Sequence, residues 1–218
     1  MSRSRHLFLA AVTFFLSSLV ASTAAQDAAK ANAILLKATA PFEDMVEPAL
    51  AKNQKGIARL LALADKQAQS IKEILPAAAA TQFETLLQTI HKAAQSGDGM
   101  TVAQNAVMIF RLLVDNLHAD ALKIPIEISL LDWAGYQLIV LAAAERPDWD
   151  AMRKVAADAD SWWNGTAKKI SDKNLRAAVT STMQGLAQST KEQNLSMVKF
   201  AARIDLDLVD LLEGAFKK

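Results

Sequence analysis

Residues 126–144 are apolar around the whole circumference of a helix, interrupted chiefly by Glu127, Asp132, Tyr136 and Gln137. A helix without a polar face has to be covered on most sides, so this stretch predicts a central strut with other helices packed around it. The rest of the chain suits that role. Only seven glycines and five prolines occur in 218 residues, alanine is abundant, and tyrosine and the β-branched residues are sparse, which favours helix over strand.

Apolar periodicity near 3.6 residues runs from Phe42 through Met45, Leu50, Ile57, Leu60, Leu61 and Ile71 to Leu75, with Lys52, Arg59, Lys66 and Glu73 opposite. It predicts one long amphipathic helix over 42–75. Proline and glycine divide the remainder. Pro41 separates a short helix over 28–39 from the long one, and Pro76 precedes a helix over 78–95. Gly97-Asp98-Gly99 is the clearest loop, Thr101 starts a helix to 123, and Pro125 opens the central one to 145. Pro147 leads into a helix over 148–170, and Ser171 or Asp172 caps a final helix reaching 216. Short connections of this kind favour antiparallel neighbours, so the expected fold is an all-α up-and-down bundle of six to seven helices in a single domain over 26–218. Phe42-Glu43-Asp44-Met45 after Pro41 weakly echoes Trp149-Asp150-Ala151-Met152 after Pro147, which raises the idea of a duplicated three-helix unit.

The first 25 residues read differently. Arg3 and Arg5 are followed by an apolar stretch over 7–20 and by the small residues Ala21 to Ala25. That is the tripartite pattern of a cleavable secretory signal, too short for a membrane span, with cleavage expected after Ala25. Cleavage would leave a soluble chain with one more acidic than basic residue and the periplasm as its expected location. Cysteine is absent throughout, so the chain offers no disulfide, thiolate metal site, covalently attached haem or lipid-bearing cysteine. Its interspersed charges give no surplus for nucleic acid.

Chemistry has to be sought among the polar residues of apolar surroundings. Asp132 and Tyr136, four residues apart, share a face of the central helix, while Trp133 and Gln137 form the adjoining pair. All four tryptophans and the one tyrosine fall between Trp133 and Trp163, so an aromatic wall from Trp133, Trp162 and Trp163 with a carboxylate at Asp132 is the expected ligand pocket. Glu127, Asp205 and His118 are expected as buried polar groups without an assigned role; Asp205 would need Arg203, a base from another helix or a metal. No cofactor is predicted. Methionine with histidine would suit copper in an exported protein, yet no Met-x-Met, His-x-His or Glu-x-x-His spacing is present; copper and iron stay open as cargo. No glycine elbow, His-Glu-x-x-His or phosphate loop specifies catalysis. The expected function is therefore binding of a small ligand or metal ion near 126–145. The alternative is an accessory or chaperone-like protein that contacts an envelope partner through its long amphipathic helices.

Overall fold

A computed structural model describes residues 7–217, with side chains from residue 25 onward. The basic start of the expected signal and the side chains of its apolar stretch thus lie outside the described residues. Among the described residues there are eight α-helices of several turns, one single-turn α-helix, two short 3-10 turns and no strand. The α-helices are α1 (Leu7–Glu43), the single turn α2 (Val46–Leu50), α3 (Gln54–Ile74), α4 (Ala77–Ser96), α5 (Gly99–Asp115), α6 (Ile126–Ala143), α7 (Trp149–Thr166), α8 (Lys173–Lys191) and α9 (Leu195–Phe216). Consecutive helices pack antiparallel, as their short connections demand.

Four boundaries differ from the sequence reading, the plainest being that the helix expected to run to 123 ends at Asp115. Pro41 does not separate two helices but sits in the last turn of α1. Leu35, Ala38 and Phe42 form one fully buried stripe across it, and that burial outweighs the single ladder bond that proline removes. The long helix over 42–75 is instead broken after α2. Lys52 adopts a left-handed φ of 54°, and the Asn53 side chain accepts from the Gly56 N–H to start α3. The final helix also divides. Gln193 turns the chain at φ 56°, and Asn194 caps α9 by accepting from the Met197 N–H. Both breaks preserve the amphipathic period on each side, which is why periodicity alone does not reveal them. The two echoing stretches occupy unlike places, since Phe42 ends α1 whereas Trp149 begins α7.

Two apolar cores result. One lies among α1 to α5, the other among α6 to α9. α6 belongs to both, because Leu130 and Val140 enter the first while Ile128, Leu131, Ala134 and Leu138 enter the second. This accounts for a helix that is apolar all round and long enough to cross a membrane by composition. Its remaining face, with Asp132 and Tyr136, looks into a cleft between α1 and α9.

Candidate functional site

The i, i+4 spacing of Asp132 and Tyr136 sets both on one side of α6. On that side the helices leave two adjoining chambers. The first, of 510 Å³, runs beside α1 past Asn32, Leu36 and Glu43 and is closed by Phe110, Leu122 and Ile124. The second, of 320 Å³, is lined by six carboxylates, Glu43, Asp44, Glu47, Asp132, Asp207 and Asp210, with Tyr136 and Leu206. Glu43 and Asp132 line both. One cleft thus has an apolar arm and an acidic arm, joined at Glu43 and Asp132, and the Phe110 and Tyr136 rings, one from each arm, pack edge to face at 6.2 Å.

The apolar arm depends on one buried side chain. Asn32 donates through Nδ2 to the His118 carbonyl at 2.9 Å and accepts the His118 N–H at 2.8 Å, which ties the chain after α5 to α1. Replacing Asn32 with alanine removes both bonds and leaves a backbone N–H and C=O without partners. The expected loss is about 2 kcal/mol in urea unfolding, with amide exchange rising first over residues 117–124.

Burial governs the electrostatics. The Glu43 carboxyl is pushed up to about 7 by burial and by Asp44, Glu213 and Asp210, against the restraining Thr39 hydroxyl. Asp132 is held well above the usual carboxylate range by burial first, then by Glu43 and Asp205. The Tyr136 hydroxyl is raised by burial and by the same two carboxyls, Asp132 and Glu43. No cation offsets these groups from within the acidic arm. The nearest basic side chain on α9, Arg203, is exposed and lies 3.9 Å from Glu47.

Comparison with protein-family models, curated proteins and solved structures returns no match. The functional reading therefore rests on this geometry.

The structure separates the residues that the sequence reading grouped. Asp132 and Tyr136 line the cleft; Trp133, Gln137, Trp162 and Trp163 do not. A step of one residue turns a helix by about 100°, so Trp133 faces α5 and α7 rather than α1. There it meets Trp162 edge to face at 6.1 Å, and the Arg111 guanidinium lies 4.6 Å from the Trp133 ring and 5.3 Å from that of Trp162. Trp163 is buried in the second core and donates through Nε1 to Thr180 at 2.9 Å. Trp133 and Trp162 pack against both cores, and Trp163 belongs to the second. His118 is exposed, in the turn after α5, where only its backbone is held. Glu127 is half-buried in the first turn of α6, a position where the helix dipole favours a carboxylate. Asp205 is fully buried, as expected, but neither carboxylate oxygen has a hydrogen-bond partner and Arg203 points elsewhere.

Glu43, Asp44 and Glu47 were not among the residues expected in the site. They flank the turn between α1 and α2, and their spacing would put them on one face of a continuous helix too, without showing that this face meets α6 and α9. Asp207 and Asp210 read as the wet face of the last helix; they are exposed, and they also form the outer wall of the acidic arm. The closeness of three acidic residues to the buried Pro41–Phe42 pair is the one sequence signal that could have pointed here. Among the described residues no three His, Asp or Glu side chains converge to hold a metal ion.

Proposed function

We propose that this is an exported binding protein, periplasmic after removal of its first 25 residues, that carries a small organic ligand in the cleft between α1, α6 and α9. The observation behind the reading is the pair of joined chambers that share Glu43 and Asp132. A satisfied structural network would instead have packed solid around a hydrogen-bonded Asp132. The combined space falls in the range of small-molecule sites, which are mainly apolar with a few directing polar groups. Every residue of α1 that lines these two chambers follows Ala25, so removal of the signal leaves them in place. On this reading the role is carriage.

Native mass spectrometry of protein purified from its own periplasm tests this. The expected result is an added mass that disappears in Ala33→Trp, since Ala33 is an exposed lining residue of the apolar arm and a tryptophan there fills it at little cost in stability. Protein that carries nothing, and that shows no thermal shift with any apolar or charged small molecule, would sink the reading.

One observation favours a second reading, an envelope interaction protein. Met197, Phe200 and Leu211 on α9 are 46%, 60% and 59% exposed, and with Ile204 and Leu208 they make an outward apolar stripe. A photo-crosslinker at position 200 would join one discrete envelope protein if that face docks, and would give no defined adduct if it does not.

A further inference from the structure

We propose that the ligand is an elongated organic cation, its ammonium group seated between Glu43 and Asp132 and its apolar chain lying along Leu36, Phe110 and Ile124. The inference rests on the binding reading and names the ligand class.

The junction of the chambers carries the argument. Glu43 and Asp132 come from different helices and face the same space, each half-buried and each raised chiefly by loss of water. Two carboxylates drawn partly out of water side by side repel each other, and a positive group between them relieves that cost. Every element around the acidic arm has the same sign. The α1 end contributes Glu43 and Asp44, α2 contributes Glu47, α6 contributes Asp132 beside Tyr136, and α9 contributes Asp207 and Asp210, with Asp205 buried behind them. Arg203, at 3.9 Å from Glu47, lies outside the lining. The Tyr136 ring, which lines the acidic arm, adds aromatic surface of the kind organic ammonium groups prefer.

The apolar arm decides between an organic cation and a metal ion. A bare metal would leave 510 Å³ of largely apolar space idle, and among the described residues no three His, Asp or Glu side chains converge to coordinate it. A chain extending from the junction instead follows α1 from Glu43 back towards Ala29, about 21 Å at the helical rise of 1.5 Å per residue. The far end of the cleft is different in sign. Lys123 lies there, while Lys217 is neutralised by Glu213 at 3.0 Å. One ammonium with an apolar tail fits this polarity better than a diamine. Without ligand, raised carboxyls hold protons at the junction, so a cation that displaces them binds less tightly as pH falls.

Calorimetric titration of the signal-free protein with octylamine, octanol, octanoate, an ω-amino acid of equal length and a divalent metal salt tests the assignment. Octylamine is expected to bind at least about tenfold tighter than octanol at pH 8, to weaken by pH 5, and to lose that advantage in Asp132→Asn and Glu43→Gln. Equal affinity for amine and alcohol, or preference for octanoate or the ω-amino acid, overturns the cation assignment and leaves the binding reading standing. Displacement of octylamine by micromolar metal overturns it in favour of a metal site. Failure of every probe, together with a ligand-free mass spectrum, removes both.

Discussion

Replacing Asp205 with asparagine is expected to stabilise the protein by roughly 4 kcal/mol more at pH 8.5 than at pH 5. The carboxyl is fully buried in the second core with neither oxygen bonded, and burial pushes it up to about 8. In the unfolded chain it titrates near about 3.9. Between those values the folded state keeps a proton that the unfolded state has released, so stability falls by about 1.4 kcal/mol for each unit of rising pH. Below that window the cost is absent, and above it the full cost persists. Asparagine has the shape of the neutral acid and no titration, so its unfolding profile loses this slope. Glu43 and Asp132, raised in the same direction, preserve a smaller slope in the variant. Urea midpoints of both proteins at pH 5 and 8.5 decide the matter. Parallel profiles would show that Asp205 is ionised in the native state.

A second large effect is expected from Gly99→Ala. A Cβ on residue 99 would stand 2.0 Å from the Ala49 carbonyl oxygen and 3.0 Å from its carbon. Both sides of that approach are main chain, and Ala49 is itself fully buried, so no rotamer relieves the clash. The α2–α5 contact has to open, at an expected cost of about 3 kcal/mol or more. Gly185→Ala is the control. That glycine lies within α8 with nothing inside 4 Å of an added Cβ, and the change is expected to stabilise by about 0.5–1 kcal/mol. Should both variants melt alike, the contact between α2 and α5 is looser than the structure places it.

The candidate site was only half legible. Asp132 and Tyr136 stand out because a polar pair on an otherwise apolar helix has few explanations, and four-residue spacing assigns them a common face. Their partners could not be read the same way. Glu43 and Glu47 come close to Asp132 only because α1 ends two residues after Pro41 and α2 turns the chain, and that turn depends on the buried Leu35, Ala38 and Phe42 stripe. The tryptophans misled for a related reason. Clustering in sequence signals a shared neighbourhood, but Trp133 and Trp162 meet over Arg111 on the side of α6 away from the cleft.

By itself the sequence determined the helical class, the central place of residues 126–144 and the positions of most helix starts. These follow from local physics: low glycine and proline content, a 3.6-residue apolar period, and the Asp172 cap, which accepts from N–H groups within three residues. Only the tertiary structure decided where the long amphipathic runs break, that α6 is shared between two cores, and which carboxylates meet. Each of those depends on burial against distant residues. Periodicity records how much of a helix is buried and on which side, but not what lies opposite.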